Sequence, residues 1–369
     1  NCLYIHVTLI PYIQSSQEHK SKPTQHSVKE LQSYGISPDI LIARVNEPLE
    51  DTIKEKLSLF CNVPKECVIE NRTMRSLYEV PAMLQKNGLD EIVLKHFNYS
   101  LPPADLHQWE ELSDVFSSIQ EEVTIALIGK YVKLHDAYLS VVEALHHAGL
   151  KNKVHIQIRW IDSEELTEES VAEKLSGCHG ILIPGGFGNR GIEGKIVAAN
   201  YARIHNIPYL GICLGMQIAA IAFARSVLQL KDANSAEFDN DCQHPIIHYM
   251  QEQRELLSKG GTMRLGAYPS TIKKGTQLER AYQKNHIAER HRHRFEFNNA
   301  YRASFEEHGM CISGVSPDDA LVEAIEYSAN DFYIGVQYHP EFKSRPHRAH
   351  PLFIDFIKYA KQLDKKDYE

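Results

Sequence analysis

Gly211-Ile212-Cys213-Leu214-Gly215 lies between an apolar run at 207–210 and a second apolar segment at 216–224. Two glycines around a cysteine are typical of a tight turn from a strand into a helix, because larger side chains do not fit there. The helix start would also stabilise a thiolate on Cys213. A cysteine without this glycine frame is more often a small core residue. The pattern therefore predicts a catalytic nucleophile at Cys213.

A histidine near the C-terminus is the candidate base. It follows the apolar run 333–336, which we predict to be a strand. His339 would lie at the carboxyl end of that strand, where reactive groups collect in open α/β sheets. Glu341, two residues further along, can accept from the imidazole and select its tautomer. A surface His-Pro turn is the alternative for any one of the twenty histidines. The combined pattern predicts a triad of Cys213, His339 and Glu341.

A third segment, Pro184-Gly185-Gly186-Phe187-Gly188, follows an apolar run at 180–183. Acyl transfer generates an oxyanion, and glycines let backbone N–H groups approach it closely. We predict that the N–H groups of Gly186 and Leu214 form this oxyanion hole. A phosphate-binding loop is the alternative, but the segment lacks the lysine and the serine or threonine of a P-loop.

Composition excludes several classes of protein. The chain has 369 residues, which at about 100 to 200 residues per domain indicates two domains. With 43% hydrophobic and 24% charged residues, it is neither disordered nor fibrous. A net charge of −8 disfavours nucleic acid and membrane surfaces as partners. Seven cysteines without a CxxC pair indicate a reduced, cytoplasmic protein.

The order of apolar and amphipathic segments predicts an α/β fold with two doubly wound domains. We place the first domain at residues 1–100, a Pro-containing linker at 101–120, and the second domain at 121–369. Within the second domain, 262–278 predicts a short antiparallel excursion. The uncharged stretch 207–224 contains a proline and glycines, so it predicts a buried strand, turn and helix and not a membrane span.

The three segments together closely resemble the class I glutamine amidotransferases. Over nearly the whole chain, the sequence also resembles the CTP synthase family. The segments that carry this second resemblance are KSKPTQHSV (20–28), GGTMRLG (260–266), HRHRFE (291–296) and QYHPEF (337–342). The resemblance implies that Cys213 attacks the side-chain amide of glutamine. His339 would protonate the leaving ammonia and activate water, and Glu341 would orient His339.

The resemblance also implies a set of glutamine contacts. Arg294 suits an α-carboxylate and Glu237 suits an α-ammonium group. On spacing alone, each would more often be an exposed loop charge. The implied glutamine-binding residues are Gly186, Leu214, Gly215, Met216, Gln217, Glu237 and Arg294.

In the first domain, the resemblance implies two nucleotide sites. Lysines near a turn can hold phosphate oxygens as point charges, although such lysines are usually just an exposed loop. The implied UTP and CTP contacts are Lys20, Ser21, Lys22, Pro23, Thr24, Gln25 and Lys56. The implied ATP contacts are Arg72, Thr73 and Met74, and no metal ligand is assigned.

The expected activity is that of a glutamine-hydrolysing ligase, which aminates UTP to CTP with ATP. Mg²⁺ and ATP would serve the complete enzyme, and the glutaminase step would need neither. GTP would activate it allosterically, and the assembly would be a homotetramer. Because no GxxxxGK[ST] segment occurs and the chain starts in a strand pattern, we expect a truncated P-loop-type synthetase domain without a working ligase step.

Two other functions remain open. One is another class I amidotransferase or a free glutamyl hydrolase, which would share only the second domain. The other is a non-enzymatic module that senses nucleotides or assembles into larger structures. The KSKPTQHSV segment argues against the first alternative, and labelling of Cys213 by a glutamine analogue would argue against the second.

Overall fold

The computed structural model describes residues 2–249 and 263–366. The chain divides into two compact units, Asn1–Ser118 and Ile119–Glu369. Of the predicted GGTMRLG segment, residues 260–262 lie outside the described residues.

The first unit is a three-stranded parallel sheet with helices on both faces. Its strands are β1 (Ile5–Leu9), β2 (Tyr12–Ile13), β3 (Glu18–His19), β4 (Ile40–Val45) and β5 (Val68–Arg72). Its helices are α1 (Lys22–Ser33), α2 (Asp51–Cys61), α3 (Val80–Lys86), α4 (Leu89–His96) and α5 (His107–Ser118). The parallel sheet has the order β1-β4-β5, and β2 pairs with β3 as a small hairpin.

Alternation along β4 explains how this sheet is covered. Leu41 and Ala43 pack with residues of α1 and α2 on one face. Ile40 and Ile42 face the other way, towards α3 and α4. Because successive strand residues point to opposite faces, a strand that is apolar at every position requires a helical layer on each side. This confirms the α/β prediction for the first unit.

Residues 101–120, which we predicted to be a linker, contain α5. This helix packs against α3 and against the 3-10 helix Leu77–Glu79, so it belongs to the first unit. The second unit begins at Ile119, two residues before the predicted start. Pro102 and Pro103 precede the helix and do not interrupt it, which is why a segment that reads as a linker still forms a helix.

The second unit is built on a nine-stranded mixed sheet. The strands of this unit are β6 (Glu122–Gly129), β7 (His155–Asp162), β8 (Gly180–Ile183), β9 (Tyr209–Ile212), β10 (Asn234–Ser235), β11 (Pro245–Tyr249), β12 (Arg264–Ile272), β13 (His286–His293), β14 (Phe295–Phe297), β15 (Met310–Val315), β16 (Val322–Tyr327) and β17 (Tyr333–Val336). Its helices are α6 (Leu139–Asn152), α7 (Val171–Leu175), α8 (Ile192–Ile204), α9 (Leu214–Ser226), α10 (Gln277–Tyr282), α11 (Arg302–Glu307) and α12 (Pro351–Lys366).

The sheet has the order β13-β12-β15-β16-β17-β9-β8-β6-β7. The five strands from β17 to β7 are parallel, as a doubly wound sheet requires, and the other four are antiparallel. The predicted antiparallel excursion corresponds to β12, which is the central strand between β13 and β15. A separate small sheet joins β10, β11 and β14 beside this half of the unit.

Helices cover both faces of the large sheet. One face packs against α6 and α12, and the other against α8 and α9. Residues 214–224 of α9 are all buried, which explains why this helix is apolar on every side. In residues 2–249 and 263–366, none of the helices combines the length and apolar character needed to cross a bilayer.

Candidate active site

Cys213 lies at the junction of β9 and α9, in a backbone conformation that is rare for a residue with a side chain. Its φ is 52° and its ψ is −100°. A Cβ on Gly211 would lie 2.6 Å from the carbonyl carbon of Gly215, and one on Gly215 would lie 2.2 Å from the oxygen of Ile183. Both glycines are therefore required by the close packing of this turn. Strain of this kind is typical of a functional site, where it exposes the nucleophile.

The base and its orienting group follow the neighbouring strand. β17 pairs in parallel with β9, with Val336 opposite Ile212, so the carboxyl ends of the two strands meet at one edge. His339 and Glu341 follow β17, and Nδ1 of His339 lies 2.8 Å from Oε1 of Glu341. Both side chains are buried. This hydrogen bond places the proton of a neutral imidazole on Nδ1, which leaves Nε2 as the base.

The turn after β8 brings Cys213 and His339 to the same place. A Cβ on Gly185 would lie 2.7 Å from Cε1 of His339 and 3.5 Å from Cβ of Cys213. The side chains of Cys213 and His339 therefore both lie next to the position that a Cβ on Gly185 would occupy. The backbone of β13 lies beside both, since Arg290 O accepts from the N–H of His339 at 2.8 Å and Arg292 O lies 3.9 Å from Sγ of Cys213.

The electrostatics of His339 favour its protonated form. Burial alone would lower the pKa of His339, but the nearby Cys213 sulfur and the hydrogen bond to Glu341 together raise it to about 10. Its Nε2 is buried and has no hydrogen-bond partner among the residues that the structure describes. This nitrogen is therefore placed to exchange a proton with a bound substrate.

A cavity of about 470 Å³ opens in front of Cys213. A cavity of this volume is large enough for an amino acid such as glutamine. Of the residues predicted to contact glutamine, four line the cavity: Gly186, Gln217, Glu237 and Arg294. The other three, Leu214, Gly215 and Met216, form the first turn of α9 and are buried behind it.

Gly186 and Leu214, the two residues predicted to supply the oxyanion donors, are neighbours. A Cβ on Gly186 would be 3.5 Å from Cδ2 of Leu214, so the two residues are in contact distance. Leu214 is the first residue of α9, and the first N–H groups of a helix have no acceptor within the helix. An oxyanion formed next to Cys213 would therefore meet the positive end of α9.

The two predicted charged contacts lie on different parts of the cavity wall. Glu237 accepts a hydrogen bond from the N–H of Gly188 at 2.9 Å, which ties it to the turn after β8. Arg294 lies between β13 and β14. A carboxylate and a guanidinium in one cavity are complementary to the two charges of an α-amino acid.

Sequence reasoning missed half of the cavity wall. Phe187 neighbours the predicted Gly186, and His293 and Phe295 flank Arg294, so adjacency to a predicted residue was the available signal for these three. Tyr249, the last residue of β11, carried no such signal, because its strand reaches the cavity only through tertiary packing. Met263 lies in the segment 260–266 that carries the family resemblance, but no role was predicted for it. The additional lining residues are Phe187, Tyr249, Met263, His293 and Phe295.

We expect Gly185→Ala to reduce glutamine turnover by about a hundredfold, the loss that a displacement of about 1 Å in a catalytic group can produce. The new methyl group would collide with the ring of His339. Steady-state kcat is the measurement. Gly180→Ala is the comparison, because its Cβ would lie 2.9 Å from the ring of Phe356, a similar collision with an aromatic ring away from the cavity, and should lower stability and not kcat. Equal losses in the two variants would contradict this account.

In the first unit, two of the three predicted lysines act on one acidic residue, Glu18. Lys20 forms an ion pair with Glu18. Hydrogen bonding to Lys20, with a smaller contribution from Lys56, lowers the pKa of the Glu18 carboxyl. Lys20, Lys22 and Lys56 are all exposed. Lys56 is distant in the sequence, yet its charge acts on the same carboxylate as that of Lys20.

The remaining residues of that segment have local structural contacts. Ser21 and Pro23 lie at the start of α1, and Gln25 donates to the hydroxyl of Ser21 at 3.1 Å. Thr24 is buried, and its hydroxyl donates to the carbonyl of Leu9 at 3.2 Å. Thr24 therefore joins α1 to the end of β1.

The predicted ATP contacts are divided by the structure. Arg72 and Met74 line a cavity of about 330 Å³ together with Tyr78 and Trp109. Thr73 lies elsewhere, with its hydroxyl 2.9 Å from Oδ1 of Asn46. In residues 2–249 and 263–366, no group of three or more His, Cys, Asp or Glu side chains is arranged to hold a metal ion.

Two family models match the chain. Residues 133–359 match the glutamine amidotransferase class-I model, and residues 1–99 match the CTP synthase N-terminus model. The second match shows that the chain contains sequence of the N-terminal synthetase domain. These comparisons do not confirm the predicted truncation of that domain.

The chain is similar to curated proteins named CTP synthase. It is 52% identical to the one from Caldanaerobacter subterraneus subsp. tengcongensis, over 97% of this chain and 67% of the relative. Identity to the one from Halalkalibacterium halodurans is 54%, over the same shares of the two chains. A solved structure of the Trypanosoma brucei CTPS glutaminase domain with bound acivicin is 40% identical and has a TM-score of 0.62. The matched region covers 65% of this chain and 94% of the chain in that structure. The chain therefore belongs to the CTP synthase family of ligases, with a class I glutamine amidotransferase domain as its second unit.

Proposed function

We propose that the second unit hydrolyses glutamine to glutamate and ammonia. The Cys213 thiolate attacks the side-chain carbonyl carbon, and the carbonyl oxygen becomes an oxyanion beside the N–H groups of Gly186 and Leu214. When this intermediate collapses, the C–N bond breaks and the His339 imidazolium gives its proton to the leaving ammonia. A glutamyl thioester then remains on Cys213.

The second half of the reaction regenerates the enzyme. Neutral His339 takes a proton from water, and the water oxygen attacks the thioester carbon. The C–S bond breaks, which releases glutamate and restores the thiolate and the imidazolium. Glu341 holds the ring in one orientation through both halves, because its bond to Nδ1 keeps Nε2 directed at the reacting atoms.

One observation carries this proposal: Cys213 and the His339–Glu341 pair border the same point next to Gly185, in front of a cavity that contains Glu237 and Arg294. In the substrate complex, Arg294 would bind the α-carboxylate and Glu237 the α-ammonium group. The other predicted contacts would come from Gly186, Gln217 and the first turn of α9.

For the whole protein, we propose ATP-dependent amination of UTP to CTP. ATP phosphorylates the uracil O4, and ammonia from the second unit replaces the phosphate at C4. Lys20, Lys22 and Lys56 would bind the UTP phosphates, and Arg72 and Met74 would lie near ATP. Activation by GTP, a homotetrameric assembly and a cytoplasmic location belong to the same proposal, and Mg²⁺ would accompany ATP.

The test is to incubate the purified 369-residue chain with glutamine and to measure glutamate release. A parallel sample contains UTP, ATP, magnesium and ammonium chloride, and CTP is measured by chromatography. We expect glutamate in the first sample and no CTP in the second, since no P-loop segment occurs in the sequence. CTP formation would contradict the expected loss of the ligase step. Absence of glutamate would overturn the glutaminase proposal.

The remaining alternative is a module that binds nucleotides without catalysis. It predicts that an electrophilic glutamine analogue such as acivicin leaves Cys213 unmodified. The glutaminase proposal predicts a covalent adduct at Cys213, which free glutamine should protect in competition. Mass spectrometry of the Cys213 peptide separates the two functions.

A further inference from the structure

Gln337 contacts the sulfur of the nucleophile from inside the protein. It follows β17 directly, and it is completely buried. Its Nε2 lies 3.7 Å from Sγ of Cys213, although the two residues are 124 positions apart in the sequence. A sulfur acceptor forms longer hydrogen bonds than oxygen does, so this contact is a hydrogen bond if the amide nitrogen, and not its oxygen, faces the sulfur.

The surrounding hydrogen bonds decide which end of the amide faces Cys213. Nε2 of Gln217 lies 3.1 Å from the backbone carbonyl of Phe295, which can only accept. The nitrogen of Gln217 is thereby assigned, and its second hydrogen points at the Gln337 amide, 3.1 Å away. The Gln337 atom on that side must accept, so it is Oε1. The N–H₂ end of Gln337 is therefore directed at Sγ.

Another neighbour of the sulfur, a backbone carbonyl, favours the protonated thiol. The carbonyl oxygen of Arg292, 3.9 Å from Sγ, can accept from an S–H group but repels a thiolate. The Gln337 N–H behaves in the opposite way, because a donor strengthens its bond when the acceptor becomes charged. A buried thiolate needs such a donor, since it has lost its water shell.

We propose that Gln337 is a further catalytic residue, whose amide N–H stabilises the Cys213 thiolate, and that Gln217 holds this amide in the required direction. This inference rests on the proposed glutaminase function. It adds a donor that acts on the nucleophile, whereas Gly186 and Leu214 act on the oxyanion. By the same reasoning, Gln217 has only its carbonyl oxygen left to offer to a ligand in the cavity that it lines.

The experiment compares Gln337→Leu with the unchanged protein. The readout is the rate of iodoacetamide modification of the Cys213 peptide as a function of pH, which does not depend on glutamine hydrolysis. We expect the rising part of the curve of rate against pH to move up by about one pH unit, so that the rate at pH 6.5 falls about tenfold. The fall should shrink at high pH, where the thiolate forms without help. Glutamine turnover should fall at the same time, with kcat more affected than KM.

Gln277→Leu is the matched control. Gln277 is another buried glutamine of the second unit, and its amide donates to the carbonyl of Asn330 at 2.8 Å. Its loss should lower stability without changing the pH profile. Gln337→Met keeps the length of the side chain, is uncharged and has no N–H, so it should reproduce the effect of Gln337→Leu if the donor is what matters. Profiles that match the unchanged protein in both Gln337 variants would overturn the proposal, whether or not glutamine is hydrolysed.

Discussion

Cys213→Ala is expected to reduce glutamine hydrolysis by at least about a thousandfold, because removal of the nucleophile leaves only binding and the oxyanion donors. Alanine has no sulfur to attack the substrate, and no other side chain of this turn can take the place of Cys213. The turn between β9 and α9 presents a single side chain to the cavity, next to the base. Glutamate release measured at saturating glutamine tests this expectation. Binding of glutamine should survive, since the cavity walls remain intact.

The matched control for this prediction is Cys178→Ala. Cys178 is buried in the same unit, but it packs in the hydrophobic core away from the cavity. Its replacement should affect stability and leave turnover nearly unchanged. If Cys213→Ala retained substantial hydrolysis, a different group would have to be the nucleophile, and the proposed mechanism would fail.

Glu341→Gln is expected to reduce kcat by about a thousandfold to ten thousandfold, as removal of the orienting carboxylate does in related triads. A glutamine can donate to Nδ1 of His339 and so favour the tautomer with its proton on Nε2, which cannot act as a base. The charge of Glu341 would also be lost, and with it part of the support for the raised pKa of His339. We therefore expect the lower limb of the alkylation profile to move to higher pH.

The chain contains a second histidine–carboxylate pair that serves as the control. Nδ1 of His19 lies 2.8 Å from Oε2 of Glu50 in the first unit, the same separation as in the His339 pair. Glu50→Gln removes a comparable bond outside the active site. It should leave glutamine hydrolysis unchanged. A similar loss in both variants would mean that the effect comes from general destabilisation.

Much of the fold was predictable because its signals are local. The glycines around Cys213 and after β8 indicated tight turns at strand ends, and the structure has such turns at both places. The parallel strands of both units were visible as short apolar runs. The antiparallel half of the large sheet was less evident, because β13 has the sequence HIAERHRH. It contains no apolar run, although its side chains alternate between exposed and buried in its second half.

The helix α5 illustrates where local reasoning reached its limit. Two prolines before it and several acidic residues within 101–120 favoured a linker, yet the helix packs against α3 of the first unit. The stabilising contacts come from residues far away in the sequence. Packing of this kind outweighs the weak preferences of a short segment.

The sequence alone determined which chemical groups are present and which turns present them, because the conformation of a glycine-framed turn is a property of a few neighbouring residues. Only the tertiary structure decided that Cys213, His339 and Gln337 meet, since parallel pairing of β9 with β17 joins segments more than a hundred positions apart. The direction of the Gln337 amide likewise depends on Gln217 and on the carbonyl of Phe295, which the fold brings together. Hydrogen bonds act over about 3 Å, and only the packed sheet brings these groups to that distance.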